Sequence, residues 1–327
     1  MPKVNRFNEL HLETAHSRIH GAEYSLLNAD KTQDFLGRDI VCFGIPFSTG
    51  DHANLGTNKA PNAVRESSIY YASDMYPYPS HYDLRRVADG GNLYPSLPTD
   101  TARNCLLDLR NQVREKLSQD DFRPVFIGGD HTLPYATLAA LSEHLQESLA
   151  VLHFDAHPDS GNFEEINQGT FMYDLSTSGH IDAEHSFQFF IRNDVHTEGE
   201  YRHITDKFRI FDTFAMHGAL RKDGFDNLVK EVKQVIGSRP VWISFDVDAF
   251  DAAYAPATTI PMHNGATSEE VATLFLKLST AGLNVVGGEV VELIPDLDVP
   301  TKTTCGLAAR VMRDIAYLTH LALPKRH

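Results

Sequence analysis

Short apolar runs and segments of helical period alternate along most of this chain, an order that predicts a mainly parallel sheet covered by helices. Residues 39–47, 125–127, 149–154 and 241–245 read as buried strands, and residues 285–293 return to strand character near the end. Residues 61–72, 133–146 and 306–321 carry helical spacing instead. Pro61 suits a first helical turn, where its missing N–H would have no intrahelical partner. Thr267-Ser-Glu-Glu270, ahead of Val271, Leu274, Phe275 and Leu278, is a capping-box pattern that opens a further helix. No repeat, low-complexity tract or long linker divides the chain. A single domain over residues 36–327 is therefore expected, preceded by a weakly patterned extension over residues 1–35.

The chemically suggestive residues cluster just past the predicted strand ends. Asp155-Ala-His157-Pro-Asp159 follows one strand, Asp246-Val-Asp248 another, and His131 follows the turn Gly128-Gly129-Asp130. In open parallel sheets this edge collects loops from several strands and binds ligands. Taken singly, Asp130, Asp155 and Asp248 read as turn or helix-capping residues. Together, such carboxylates would repel one another or raise each other's pKa unless a cation neutralised them. His131, Asp155, His157, Asp159, Asp246 and Asp248 exceed what one zinc needs and suit two Mn²⁺-like ions sharing carboxylate bridges, with Ni²⁺ or Co²⁺ equally compatible.

Other polar residues carry less. His153 reads as a partner that orients a ligand, while His180, His185, His196 and His203 read as solvated or loop-packing side chains. Glu289 and Glu292 are unusual within a strand; Glu292 could receive a planar cation, since a carboxylate pairs bidentately with a guanidinium. Trp242 reads as core packing without a chemical role.

Composition narrows the partners. A net charge of −15 argues against nucleic acid or an anionic membrane and favours a small cationic substrate. Three cysteines without CxxC spacing imply neither a disulfide framework nor a zinc ribbon, which fits a reducing cytosol. The first residues lack the apolar core of a secretory signal, and no stretch approaches the roughly 20 apolar residues a membrane span needs, so a cytoplasmic location is expected.

Gly128-Gly129-Asp130-His131, Asp155-Ala156-His157-Pro158-Asp159, the run Ser244-Phe245-Asp246-Val247-Asp248-Ala249-Phe250-Asp251, and Val290-Val291-Glu292 together resemble the ureohydrolases, the arginase and agmatinase family. The likeness runs from about residue 39 to 321 and is nearest the agmatinase branch through Val151-Leu152-His153-Phe154 and Pro240-Val241-Trp242-Ile243. It implies an arginase-like three-layer α/β/α sandwich with a mainly parallel eight-stranded sheet, a binuclear manganese site, and a trimeric or hexameric homo-oligomer. By position, His131 and Asp159 would hold one ion, His157 and Asp248 the other, with Asp155 and Asp246 bridging and a hydroxide between them. Asp159 and Glu292 would be catalytic: Glu292 fixes the guanidinium, and Asp159 passes the proton to the leaving amine, giving urea and an amine.

Three departures bear on the substrate. Gln168-Gly169-Thr170 stands where the family usually has His-Gly-Thr, the loop after Asp251 is poor in glycine, and the segment Gly50 to Gly56 replaces a Gly-Arg-x-Gly run. The arginase segment that holds an amino-acid head is not recognisable between Asp159 and Gln168, so a decarboxylated guanidino compound is expected rather than arginine, with Gln168, Asn162 and Glu292 as substrate contacts. The alternatives are a formiminoglutamase-like hydrolase of an amidine or formimino group, and a metal-retaining but non-catalytic partner subunit. From the residues alone a two-metal phosphoesterase is arguable as well, though the acidic charge disfavours a phosphate.

Overall fold

Among the described residues a nine-stranded sheet organises the chain, in the order β1-β3-β2-β4-β9-β8-β5-β6-β7, with every neighbouring pair parallel. The computed structural model describes residues 24–48, 56–71, 78, 86–98, 100–193 and 206–324. The strands are β1 (Asp30–Lys31), β2 (Ile40–Ile45), β3 (Val87–Asn92), β4 (Arg123–Gly128), β5 (Ala150–Phe154), β6 (Phe187–Ile191), β7 (Arg209–Asp212), β8 (Pro240–Asp246) and β9 (Asn284–Val291). The helices are α1 (Ala60–Tyr71), α2 (Ala102–Leu117), α3 (Thr137–Leu145), α4 (Phe171–Thr177), α5 (Thr213–Asp223), α6 (Asp226–Ile236), α7 (Ser268–Leu278) and α8 (Thr303–Leu321). Strands β2 to β9 supply the eight expected; the two-residue β1 adds an edge outside them and belongs to the stretch set apart as an extension.

The central strands are apolar throughout because both faces are covered, and alternation along each strand sorts the side chains into two cores. Ile40, Cys42, Val125, Ile127, Leu152, Phe154, Ile243 and Phe245 face one core with α1 and α5 to α8. Val41, Phe43, Phe126, Val151 and Trp242 face the other with α2, α3 and α4. Three layers, helix on sheet on helix, result. Among the described residues no helix is long and apolar enough to cross a membrane.

Two shifts of expected boundaries bear on the site. The predicted helix at residues 133–146 divides into a 3-10 turn, Leu133–Tyr135, and α3, which ends at Gln146 in a left-handed conformation. Strand β9 stops at Val291, so Glu292 lies just beyond the strand rather than inside it, at φ 64°. The capping box forms as predicted: Thr267 Oγ1 accepts from Glu270 N, and the Glu270 carboxylate accepts from Thr267 N. The segment Gly50 to Leu55, His196 and His203 lie outside the described residues.

Candidate metal centre

Four adjacent strands, β4, β9, β8 and β5, end side by side and deliver all the motif residues to one edge. After β4 the chain turns tightly at Gly129, where an added Cβ would lie 1.7 Å from the Phe47 carbonyl oxygen; only glycine allows that approach. His131 is buried directly past this turn. Past β5, Asp155 N donates to Phe189 O at 3.2 Å, and Met172 N donates to Asp159 O at 3.0 Å, tying the first acidic loop to β6 and α4. Asp159 sits at φ 47°, a left-handed backbone that turns its carboxylate back toward His131. Past β8, Asp246 Oδ1 accepts from Asp248 N at 2.7 Å, and Asp248 Oδ1 accepts from Ala156 N at 2.9 Å, locking the two acidic loops together.

All six sequence-predicted ligands converge. His131 Nδ1 lies 2.9 Å from Asp159 Oδ2, 3.1 Å from Asp155 Oδ2 and 3.4 Å from Asp246 Oδ2. His157 Nδ1 lies 3.0 Å from Asp248 Oδ2 and 3.3 Å from Asp155 Oδ1. Asp155 thus turns one oxygen to each imidazole, and the ligand-type atoms form two groups that share it.

The electrostatics of the cluster are those of a site short of positive charge. Burial, then Asp248 and Asp155, push the Asp246 carboxyl well above the usual range; burial and Asp155 raise Asp248 as well. Burial and Asp155 raise Asp159 to about 6. Burial also opposes charge on Asp155, but His131, His153 and His157 prevail and hold it well below the usual value. Burial disfavours protonated His131 and His157, yet the aspartates around them raise both, His157 to about 12. Protons therefore hold the cluster together where cations could. His131 Nδ1 and Asp159 Oδ2 are buried and make no hydrogen bond despite their proximity. Unsatisfied buried donors and acceptors of nitrogen and carboxylate type, crowded with like charge, fit divalent cations of the Mn²⁺ class.

The His131 ring is oriented from behind. Its Nε2 lies 2.8 Å from Ser244 Oγ, which donates to Glu289 Oε1 at 3.1 Å. Because the serine proton goes to Glu289, Ser244 accepts from His131 Nε2–H, and in the neutral ring this leaves the Nδ1 lone pair aimed at the cluster. Glu289 is fully buried, which raises its pKa, and it also accepts from Thr137 Oγ1 at 2.7 Å and Trp242 Nε1 at 3.1 Å. Trp242 therefore does more than pack, contrary to the sequence expectation. His153 Nε2 lies 3.0 Å from Asp155 Oδ2, as an orienting partner should, although it also falls within the first ligand group. His180 and His185 are structural, beside Arg110 and Asp182 respectively.

Residues 38–317 match the family model described as the arginase family. The chain belongs to that family. Its members are hydrolases of C–N bonds in linear amidines and guanidino compounds and depend on a binuclear metal centre. An agmatinase of Proteus mirabilis is 31% identical over 284 residues, covering 86% of this chain and 87% of the relative. A structure of a hypothetical agmatinase from Burkholderia thailandensis superposes with a TM-score of 0.80 at 26% identity, covering 92% of each chain. Proclavaminate amidino hydrolase from Streptomyces clavuligerus also gives 0.80, at 25% identity, covering 93% of this chain and 99% of that one.

A cavity of about 300 Å³ opens above the cluster of this arginase-family chain, floored by His131, His157, Asp159, Asp246, Asp248 and Glu292. Glu292 Oε1 accepts from His131 N at 2.7 Å and its other oxygen accepts from Thr259 Oγ1, so the carboxylate is fixed at the cavity edge; burial and Asp130 raise its pKa to about 8. Gln168 lines the wall, with its Oε1 buried and without a partner. Asn162, expected as a substrate contact, is exposed and outside the lining; Asn167, Asn193, Phe163 and Ile260 take that place. Glu164 and Glu165 are exposed.

Proposed function

We propose that this protein is an agmatinase-like amidinohydrolase that splits a small guanidino compound into urea and an amine, using two Mn²⁺ ions. The observation that carries the reading is the division of Asp155 between two ligand groups, Oδ2 toward His131 and Oδ1 toward His157. His131 and Asp159 would hold one ion, His157 and Asp248 the other, with Asp155 and Asp246 shared. Bound divalent cations there supply the lowered water pKa that attack on a resonance-stabilised guanidinium carbon requires.

The chain's own residues do the rest. Glu292, held by His131 N and Thr259, pairs with the guanidinium; the incoming cation offsets the burial and the Asp130 charge that raise this carboxyl to about 8. Asp159, lining the cavity beside the attacking water, takes that water's proton and delivers it to the leaving amine. Gln168 accepts a hydrogen bond but moves no proton, unlike a histidine. Among the described residues lining the cavity none is Lys or Arg, so a carboxylate tail finds no cation there; this supports a decarboxylated substrate over arginine. In this reading residues 36–327 act as one catalytic domain in a cytoplasmic homo-oligomer, with residues 1–35 as an extension.

The test is a panel of agmatine, guanidinobutyrate, guanidinopropionate, arginine, methylated guanidines and formiminoglutamate, assayed for urea and ammonia with Mn²⁺ added. Urea from agmatine or a near analogue is expected. Ammonia without urea would move the substrate to a formimino group, and silence across the panel with metal loaded would leave the non-catalytic reading.

A further inference from the structure

Arg192, one residue past β6, touches both ligand-bearing loops. Its backbone N–H donates to Ala156 O at 2.9 Å, between Asp155 and His157. Among the described residues its side chain makes five hydrogen bonds, all to main-chain carbonyls. Nη2 donates to Asp248 O at 2.6 Å, to Phe250 O at 3.1 Å and to Met262 O at 3.1 Å. Nε donates to His263 O at 3.0 Å and Nη1 to Phe190 O at 3.1 Å. The packing is close enough that a Cβ on Gly265 would lie 2.6 Å from Nη2.

A guanidinium is planar and presents five donors in a fixed fork, whereas a lysine ammonium is a single point on a flexible stem. The Arg192 fork spans carbonyls on both sides of the loop that runs from Asp248 to His263, and that loop also supplies Thr259 and Ile260 to the cavity. The charge matters too: burial lowers the pKa of this guanidinium while Asp248, Asp155, Asp251 and Asp246 favour its charge, so a cation stands behind the acidic cluster without occupying a ligand position.

We propose that Arg192 is a positioning residue for the half of the metal centre built on His157 and Asp248, fixing the Asp248 main chain and, through it, the direction of the Asp248 carboxylate. The proposal rests on the two-ion reading of the site. It predicts an asymmetry, because the fork bonds to Asp248 itself and makes no side-chain bond to His131 or Asp159.

The experiment is calorimetric titration of the metal-freed full chain with Mn²⁺, comparing wild type, Arg192→Lys and Arg192→Gln. Asp248→Ala and Asp159→Ala identify which binding step belongs to which half, and EPR reports the spin-coupled pair. Loss of an outer partner of a metal ligand costs on the order of 10–100-fold in affinity. In Arg192→Lys the step that Asp248→Ala removes should weaken by that factor. The step that Asp159→Ala removes should stay within about threefold, and the coupled EPR signal should give way to that of an isolated ion. Equal weakening of both steps, or unchanged titration in both Arg192 variants, overturns the proposal. Failure of both variants to fold would mark Arg192 as a general structural residue and equally remove it. If wild type takes up fewer than two Mn²⁺ per chain, the two-ion reading fails instead, and that result is separable from the others.

Discussion

Asp89 in β3 and Asp246 at the end of β8 are both buried carboxylates on the same parallel sheet, and their surroundings differ in kind. Asp89 is closed within the chain. Arg65 Nε and Nη2 donate to its two oxygens at 2.8 and 2.9 Å, Leu26 N adds a bond of 2.8 Å and Gly91 N one of 2.9 Å. Asp246 instead faces Asp248, Asp155 and the His131 ring, and its carboxyl is driven well above the usual range. A buried acid with a full set of donors holds a fold together; a buried acid set among other acids waits for a cation from outside.

The largest effect that would break this contrast is on turnover. Asp246→Asn keeps an oxygen for Asp248 N but removes a shared carboxylate. Urea release should fall on the order of 10³-fold or more, about 4 kcal/mol of transition-state stabilisation. The metal-free protein should at the same time become more stable to urea denaturation at neutral pH. The sign follows because a carboxyl with a raised folded pKa carries a penalty whenever solution pH lies above its unfolded pKa, and asparagine removes that penalty. A less stable metal-free Asp246→Asn would contradict the reading of an open cluster.

Asp89→Ala should do the reverse. Breaking a buried pair by removing one partner costs about 3–5 kcal/mol, because Arg65 is left uncompensated. Folded, metal-loaded Asp89→Ala should retain its turnover. Manganese separates the two regions next: at one fixed concentration, 100 times the wild-type Kd, it should raise stability by about 2.7 kcal/mol per bound ion in wild type and Asp89→Ala, and far less in Asp246→Asn. Equal shifts in all three chains would place the ion elsewhere.

The open cluster was legible because its side chains are chemically conspicuous: acids and imidazoles at alternate positions past apolar strands. The alternation of strand and helix likewise announced the layers, since doubly covered strands read as unbroken apolar runs. What supports the cluster left fainter marks. Glu289 stood out as a charge in an apolar strand, but its link to His131 runs through Ser244 and depends on which strands are neighbours, β9 beside β8, which the one-dimensional pattern does not state. Arg192 left no spacing signature, because its partners are carbonyls, which every residue has. Asn162 falls outside the cavity lining because the direction of a loop side chain depends on turn geometry: Asn167 Oδ1 accepts from Gly169 N, and this turn carries Asn167 and Gln168 to the wall. Helices α2, α4, α5 and α6 went unassigned for a different reason, since β3, β6 and β7 around them were not read as strands.

The orienting chain behind His131 occupies a middle position in the comparison, being closed like Asp89 yet acting on the open cluster. Glu289→Gln keeps the side-chain shape and an acceptor oxygen but weakens the pull on Ser244. Mn²⁺ affinity should fall on the order of 10–100-fold, about 1.4–2.8 kcal/mol, with the loss confined to the step that involves His131. Loss confined to the His157 step would refute the orientation argument.

The smallest expected effect sharpens the comparison at a single atom. Gln168 Oε1 is buried in the cavity wall with no partner, the neutral counterpart of the open acids below it. If open polar atoms here mark places for ligands, this oxygen accepts a hydrogen bond from the substrate. Gln168→Leu then removes an interaction made in both ground and transition states. KM should rise roughly 2- to 12-fold, corresponding to about 0.5–1.5 kcal/mol, with kcat nearly unchanged. Gln168→Glu, which preserves an acceptor, should hold KM for a cationic substrate near the wild-type value. A fall in kcat at constant KM in the leucine variant would instead place Gln168 in the chemical step, and with it some proton path that an amide cannot provide alone.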